Sequence, residues 1–504
     1  MITGKTLLLG LVFLTSGCAG LDIYQADPVS GHLGDTSREE TARCARLFAE
    51  LDRAVDAWGV RDARGTHLAG YPYLRGDRIL VALSRQVGEG DSLTAWIRSA
   101  ALLDETSRRN EIAALPLQAL ESLSSGSRDA IEKSSRHCRL QLAAADLGDP
   151  NARARLRELA RVPPEYQIWK RALGLYPLTR IAFAKGVRDW QAATEGVFNT
   201  PLAALPKKGK PVMYAPPLGA QATGDLSTLF SDAARDALGL LAWNDNDLEA
   251  LFSLYAPRIL VDEASHDDRI GALEYDAEAR LWVNTFRPVV YRRISHTFLG
   301  GRWLPQFVYS FWFPARTAEP GIDLLAGRFD GLIWRVTVGP DGHPLVFDTI
   351  HMCGCYHLFF PTEAVHARAQ PDSIDETLFS PQSLPRVRAG ESLVLHLEAG
   401  THYLRRVSHE GVAPEAHLYE FADDDDLRSL RLPDPLPGGP GRRSAFGPDG
   451  IIAGSERSER FLFWPMGVDN AGAMRQWGRH ATAFVGMRHF DDPGLFENYF
   501  EIRH

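Results

Sequence analysis

Apolar residues recur at steps of three and four along the first part of the chain, beginning near residue 36. With this spacing Cys44, Leu47, Phe48, Leu51 and Val55 share one face of a helix. Further runs with a helical period follow at 92–104, 112–123, 127–146, 152–161 and 165–190. The pattern predicts an all-helical domain of about six helices over residues 36–200.

The apolar period changes to two after Tyr255. Aromatic residues occupy every second position in 307–313, and apolar residues do so in 332–338. Because side chains alternate between the two faces of a strand, this period indicates strands with a buried face. Turn residues separate such runs at hairpin spacing, for example at 339–342 and 399–400. Residues 255–410 are therefore predicted to form an antiparallel sandwich or open barrel.

Two stretches fit neither pattern. Residues 201–254 begin with a segment rich in Pro, Lys and Gly and are predicted to be a linker with short helices. Residues 411–504 are mixed and aromatic, and we expect a C-terminal extension there. The predicted fold class is α+β, with an all-helical N-terminal domain followed by an antiparallel β-sandwich-like C-terminal domain.

The first residues have the parts of a secretory signal. Lys5 precedes a short apolar run at 7–14, and small residues follow it. The run is far shorter than the ~20 residues that span a bilayer. Its ending, Leu14-Thr15-Ser16-Gly17-Cys18, resembles the lipobox of bacterial lipoproteins. The resemblance implies a signal at 1–17 and lipid attachment at Cys18; the alternative is an ordinary signal that is cut near Ala19.

The same resemblance implies a location. In bacterial lipoproteins an Asp after the lipidated cysteine favours the inner membrane, whereas this chain has Ala19. We therefore expect anchoring in the cell outer membrane through the lipid, on the periplasmic face. Residues 18–35 are polar and are predicted to be a tether.

The composition limits the class of partner. The formal net charge is −9, and we find no long basic tract. Such a protein has no electrostatic reason to bind nucleic acid, so no nucleic-acid partner is expected. An envelope protein is the macromolecular partner that the predicted location favours.

Four cysteines remain after Cys18. The periplasm is oxidising, so paired thiols are expected there. Cys44 and Cys138 each lie on the apolar stripe of a predicted helix in the same predicted domain. A disulfide between them is predicted, and two buried unpaired thiols are the alternative.

The other two cysteines lie in the segment His351-Met352-Cys353-Gly354-Cys355-Tyr356-His357. If the predicted strand 345–360 is continuous, His351, Cys353, Cys355 and His357 share one face. These are ligands for zinc or copper, and His296 is a further candidate from another strand. One ion cannot use all four ligands unless the chain bends at Gly354, because the outer histidines lie ~20 Å apart on a straight strand.

Three interpretations of Cys353 and Cys355 stay open. They form a strained disulfide around Gly354, or at least one of them binds a metal, or both pack in a rigid strand. The spacing is that of neither a zinc finger nor a thioredoxin-like motif. Asp330 follows Gly327-Arg328-Phe329 and is a candidate acid/base carboxylate, although a turn residue is the commoner explanation.

The segment 255–360 has a rhythm similar to β-sandwich proteins of the necrosis-inducing and Vps62-like type. It opens with Ala256-Pro257, continues with 287–291 (Arg-Pro-Val-Val-Tyr), and carries Gly-Arg-Phe-Asp-Gly-Leu-Ile-Trp at 327–334 before a histidine-bearing strand. Those families have an H-x-D-W-E-like core where this chain has Arg-Phe-Asp-Gly-Leu at 328–332. The similarity implies a fold only.

Two functions fit these observations. The first is a ligand-binding or assembly lipoprotein of the envelope, with the 351–357 segment as a metal, thiol or structural site. The second is a metal-dependent envelope hydrolase, in which His296, His351, Cys353 and His357 bind zinc or copper and Asp330 is the acid/base. Convergence of His296 on the 351–357 segment favours the second function, and burial of the segment favours the first.

Overall fold

The computed structural model describes residues 39–503, except residues 124–125, 149, 218–225, 232–233, 322, 371–372, 410–415 and 434–438. The predicted signal (1–17), the lipidation site Cys18 and the tether (18–35) lie outside the described residues.

Helices dominate the first part of the described chain. They are α1 (Glu39–Ala57), α2 (Arg78–Ser84), α3 (Asp91–Ala114), α4 (Leu117–Ser122), α5 (Arg128–Asp146), α6 (Pro150–Leu159), α7 (Ile168–Leu173) and α8 (Tyr176–Asn199). Local capping explains two of the starts, because the Asp77 side chain accepts a hydrogen bond from the Leu80 amide and Ser127 accepts one from Ala130. Among the helices of the described residues, none has the length and apolar character that crossing a membrane requires.

A β-hairpin interrupts this helical part. It consists of β1 (Thr66–Leu68) and β2 (Tyr71–Gly76), which pair antiparallel. Tyr71 and Tyr73 pack with Phe48 of α1 in one core. The structure is therefore a mixed α+β fold from its first part onward, and residues 36–200 are not all-helical. Two strands this short give hardly any periodic signal, which explains the miss.

A disulfide joins Cys44 of α1 to Cys138 of α5, as predicted. Both residues are buried on the faces that the helical spacing indicates. The cross-link closes a loop with a sequence separation of 94 residues, so it restricts the unfolded chain over a long segment.

Replacing both cysteines by serine (Cys44→Ser/Cys138→Ser) is expected to lower the free energy of unfolding by about 2–4 kcal/mol. The reason is the larger conformational freedom of the unfolded chain. Urea unfolding of both proteins measures the difference, and reduction of the wild-type protein with dithiothreitol should reproduce it. Equal free energies of unfolding would show that the disulfide does not contribute to stability.

The rest of the chain forms strands with a few short helices. The strands are β3 (Lys210–Ala215), β4 (Arg258–Glu263), β5 (Ala272–Tyr275), β6 (Leu281–Asn284), β7 (Val289–Leu299), β8 (Arg302–Arg316), β9 (Gly327–Val338), β10 (Pro344–His351), β11 (Leu358–Pro361), β12 (Val365–Ala367), β13 (Val394–Leu397), β14 (Leu404–Ser408), β15 (Ala416–Leu418), β16 (Glu420–Asp423), β17 (Leu430–Arg431), β18 (Arg442–Arg443) and β19 (Phe500–Ile502). The remaining helices are α9 (Leu226–Ser231), α10 (Asp245–Leu254), α11 (Arg460–Phe463) and α12 (Leu495–Tyr499).

Two large sheets form a sandwich. One sheet has the strand order β11-β10-β9-β8-β7-β16 and the other β14-β13-β4-β3-β15. Tyr309 and Trp334 of the six-stranded sheet share a core with Ile259 and Leu395 of the five-stranded sheet. Small two-stranded sheets, β5-β6, β12-β19 and β17-β18, complete the fold.

The sheets are mixed and not purely antiparallel as predicted. β13 pairs with β4, β15 with β3 and β16 with β7 in parallel. These pairs join segments that are distant in sequence, which hairpin spacing cannot reveal. β3 itself comes from the predicted linker 201–254 and lies inside the five-stranded sheet.

The C-terminal segment 411–504 connects the helical part with the sandwich. Arg428 forms an ion pair with Asp62 at 2.6 Å, and Arg78 forms one with Asp491 at 3.1 Å. Through these contacts and the β12-β19 pair, the segment is part of one packed structure.

Candidate functional site

Residues 351–357 form the turn of a hairpin. β10 ends at His351 and β11 begins at Leu358, and the two strands pair antiparallel. The Gly354 amide donates to the His351 carbonyl at 2.8 Å, and the His351 amide donates to the Cys355 carbonyl at 3.0 Å. The prediction of one continuous strand over 345–360 is therefore wrong.

Backbone conformation explains why the strand stops there. Gly354 has φ +90° and Tyr356 has φ +61°, in the left-handed region that strands do not use. A Cβ atom on Gly354 would lie 2.5 Å from the carbonyl oxygen of Ala481. Only glycine fits both the conformation and the space at this position.

The turn sends the two histidines to opposite faces of the sheet. His351 lies on the face that carries Thr349, whereas His357 pairs with Asp348 on the other face, with 2.8 Å between Nε2 and Oδ2. His357 is buried, and burial lowers its pKa to about 3 although Asp348 opposes the shift. His351 and His357 therefore cannot bind the same ion.

Cys353 and Cys355 are free and buried thiols. The Cys355 amide donates to Cys353 Sγ at 3.4 Å. The hydrogen bond with Cys353, together with burial, raises the pKa of the Cys355 thiol well above its usual range. A buried thiol with a raised pKa is a poor nucleophile, and the geometry matches the interpretation of packed thiols in a turn.

His296 lies far from this turn. Its partner in the neighbouring strand is Pro305 of β8. Across the end of β9, the residue at the same level of the sheet is Pro344, the first residue of β10. His351 is the last residue of β10, so the two histidines lie about 20 Å apart along the strand direction. His296 is half-buried, and the surrounding protein lowers its pKa to about 4.

The predicted metal ligands thus do not converge. The register separates His296 from His351, and the turn separates His351 from His357. No group of three or more His, Cys, Asp or Glu side chains that could hold a metal occurs in the described parts of 39–503.

Asp330 lies in a buried cluster with two histidines and a second carboxylate. Its Oδ2 is 2.8 Å from His402 Nδ1, and its Oδ1 is 3.6 Å from His351 Nδ1. On the far side of the His402 ring, Nε2 is 3.3 Å from Asp268 Oδ1, an ion-pair contact. The His402 ring also stacks on Phe313 with 3.8 Å between centroids.

The charges in this cluster are defined by its geometry. Burial by itself would raise the pKa of Asp330, but the imidazoles of His351 and His402 hold it well below its usual range. Burial also opposes a charge on His402, yet Asp268 and Asp330 raise its pKa above the ordinary value. Burial lowers the pKa of His351. The cluster therefore favours the charged form of His402 between two carboxylates and the neutral form of His351.

Two tyrosines cover the cluster. The hydroxyl groups of Tyr356 and Tyr403 lie 2.7 Å apart, and both rings contact the His351 ring. The Arg316 guanidinium lies 4.9 Å from the centre of the Tyr403 ring. The Tyr356 ring packs on Trp190 of α8 at 5.3 Å. These rings form a wall between two clefts.

The larger cleft, called the main cleft below, has a volume of about 720 Å³. It lies between α8 and the turn at 354–357, and residues 481–484 form another side. Its lining is mostly apolar: Ala182, Phe183, Gly186, Val187, Trp190, Leu324, Phe379, Leu462, Phe463 and Phe484. The smaller cleft has a volume of about 420 Å³, lies across Trp190 and Tyr356, and includes His351.

Few charged groups line the main cleft. Glu376 accepts hydrogen bonds from the amides of Phe484 and Val485 at 2.6 and 2.9 Å, and it lies 3.8 Å from Arg488. Glu459 is 6% exposed. Burial raises its pKa to about 7, although Arg316 and Arg457 oppose the shift. Glu459 can therefore both donate and accept a hydrogen bond near neutral pH.

Several residues of the site were not expected from the sequence. His402 has φ +53° and lies in the turn between β13 and β14. Glu459 lies in a segment without any periodic pattern. α8 was predicted as a helix, but its place over the hairpin turn depends on contacts that no local pattern reveals.

Comparisons with known proteins do not assign the chain. No protein-family model, no curated protein and no solved structure matches it.

Proposed function

We propose that this protein is an outer-membrane lipoprotein that binds an apolar ligand in the main cleft. The observation that carries the proposal is the cleft itself, a space of about 720 Å³ whose walls are mostly aromatic and aliphatic. Sites for small molecules have this character and fall in the range of about 300–1,000 Å³.

The sequence supports the location. The segment 1–17 has the parts of a signal, and Cys18 ends a lipobox-like motif. The disulfide between Cys44 and Cys138 fits an oxidising compartment. The anchored protein would face the periplasm, where an envelope protein is the partner that delivers or receives the ligand.

The lining limits the chemistry of the ligand. Phe183, Trp190, Phe463 and Phe484 favour an aliphatic or aromatic body. Glu459 lies among them, and an anionic end group would be repelled by its ionised form. We infer a ligand with a long apolar part and an uncharged end group that forms hydrogen bonds.

The geometry favours binding over metal-dependent hydrolysis. A hydrolase of that kind needs ligands that converge on one ion, with an open position for water or substrate. Here the register separates His296 from His351, and His357 faces the opposite side of the sheet, where it contacts Asp348. The Asp330 carboxylate contacts the ring of His402. No observation supports a reaction at this cluster.

A substitution that fills the main cleft is expected to abolish binding. Gly186 lies on α8 at the wall of the cleft, and a side chain there would meet nothing within 4 Å of its Cβ. In Gly186→Trp the indole would occupy the ligand's space. We expect the uncharged apolar dye N-phenylnaphthylamine to bind about tenfold more weakly or not at all, as measured by fluorescence titration of residues 19–504.

Gly88→Trp is the matched control, because Gly88 is exposed and also has open space around its Cβ. It should bind the dye like the wild type. Unchanged affinity in Gly186→Trp, with a normal melting temperature, would contradict binding in the main cleft.

A further inference from the structure

The entrance side of the main cleft carries an unusual number of exposed apolar side chains. They belong to α7, the first turns of α8, α11 and the loop at 487, and we call this surface the apolar face. Its members are Ile168, Trp169, Leu173, Leu175, Leu178, Ile181, Phe461, Leu462 and Met487, each more than half exposed, with Phe461 reaching 74%. Single exposed apolar residues are ordinary, but a contiguous group marks an interaction surface.

Contacts between the elements show that they form one surface. Trp169 packs on Trp464, which directly follows α11, at 6.1 Å between rings. Phe183 of α8 packs on Phe463 of α11 at 5.4 Å. The Gly486 amide donates to the Tyr176 hydroxyl at 2.7 Å, which holds the loop at 487 beside α8.

The charge of this region differs from that of the protein. Five cations lie on residues 168–188, and three of them form ion pairs: Lys170 with Asp469, Arg180 with Asp375 and Lys185 with Asp189. Five cations against these three carboxylates leave an excess of two positive charges, with Arg188 exposed, whereas the whole chain has a net charge of −9. Basic amphipathic helices with aromatic residues on the apolar side are typical of surfaces that lie in a membrane interface.

The apolar face is continuous with the main cleft. Leu462 belongs to the face and also lines the cleft, and Phe183 and Phe463 lie directly behind it. A molecule that leaves a bilayer at this face could enter the cleft without crossing water. Exposure of CH₂ groups to water is unfavourable for an apolar ligand, so such a route favours transfer from a membrane.

We propose that the apolar face docks on the surface of an anionic phospholipid membrane and that the main cleft takes up its ligand from there. The inference rests on the proposed function, since lipidated Cys18 would keep the face near the membrane. Between Cys18 and Glu39 lie residues 19–38, which reach at most about 70 Å when extended. This length allows the folded part to turn its apolar face to the bilayer.

Vesicle flotation of residues 19–504, which lack the lipid, tests the inference directly. We expect the protein to float with vesicles of phosphatidylethanolamine and phosphatidylglycerol, and much less with vesicles of phosphatidylcholine alone. Leu178→Glu/Ile181→Glu should weaken flotation about tenfold or more, because both side chains are exposed on the apolar face. The matched control Leu102→Glu/Leu140→Glu changes exposed residues of α3 and α5 and should float like the wild type.

Other outcomes would overturn the inference. Equal flotation of the two double variants, or no flotation of the wild type, excludes membrane docking by this face. A dimer of residues 19–504 in light scattering that Leu178→Glu/Ile181→Glu dissociates would identify a second copy as the occupant. Dye binding to the main cleft and the mass of acylated Cys18 test the proposed function separately. A failure of the proposed function can therefore be told apart from a failure of membrane docking.

Discussion

Replacing Arg335 by methionine is expected to lower the free energy of unfolding by about 3–5 kcal/mol. Arg335 of β9 lies opposite Asp348 of β10, and two hydrogen bonds of 2.9 and 2.6 Å join them inside the protein. The guanidinium also donates to the Phe490 carbonyl, and it lies 3.8 Å from the centre of the Phe490 ring. Without Arg335, the Asp348 carboxylate stays buried with the neutral ring of His357 as its side-chain hydrogen-bond partner.

The destabilisation comes from the uncompensated charge more than from the lost attraction. Burial by itself would raise the pKa of Asp348, and Arg335 together with His357 holds it below its usual value. Removing both charges, in Arg335→Met/Asp348→Leu, should therefore restore much of the stability. Urea unfolding at pH 7.5 compares the single and double variants.

A surface pair provides the control. Arg386 and Asp341 lie 3.1 Å apart, but both side chains are at least half exposed. Arg386→Met should change the free energy of unfolding by no more than about 1 kcal/mol. If Arg335→Met were equally mild, the pair would not be a buried determinant of stability.

The same region shows what local pattern can predict. In β8 and β9 the aromatic and aliphatic residues at every second position face the core between the two sheets, as their spacing indicates. Arg335 and Asp348 lie at alternate positions on the opposite face, where two buried charges cancel. The sequence predicts the strands but cannot show that these charges meet, because their register depends on pairing.

The hairpin turn illustrates the opposite case. The period of two and the spacing of the turns after Tyr255 predict a continuous strand over 345–360. The turn depends on the approach of the distant Ala481 carbonyl, which leaves no room for a side chain at Gly354. His402 reaches Asp330 across 72 residues of sequence, and no spacing rule connects them.

Stability is expected to fall as the pH is lowered from 7.5 to 5. Burial lowers the pKa of His357 and His480 to about 3, and that of His296 and His489 to about 4. In the unfolded chain these groups titrate near 6.5, so below this pH the unfolded state binds more protons than the folded state. Their contribution to stability is present above pH 6.5 and is lost as the pH falls towards 4.

The magnitude follows from the window. At pH 5 the pH is about 1.5 units below the pKa of an unfolded histidine. Protonation then stabilises the unfolded state by about 2 kcal/mol for each ring that burial keeps neutral in the folded state. His402 acts in the opposite direction, because its raised pKa gives stability at low pH that is lost as the pH rises. Burial also raises the pKa of Glu459 to about 7 and raises the pKa values of Glu376 and Asp424, so these carboxyls act in the same direction as His402. Together these groups offset part of the effect of the four histidines. Asp330 and Asp348 have lowered pKa values and contribute to acid lability only near and below pH 3.8.

His480→Leu isolates one of these rings. His480 is 1% exposed, and leucine removes its titrating ring together with weak contacts to the backbone of Met352 and Arg475. Between pH 6.5 and 4, we expect the slope of unfolding free energy against pH to decrease by up to one proton, or about 1.4 kcal/mol per pH unit. The exposed His409→Leu should leave the slope unchanged. If both variants kept the wild-type slope, burial of neutral His480 could not be a source of acid lability, and protonation elsewhere would have to account for it.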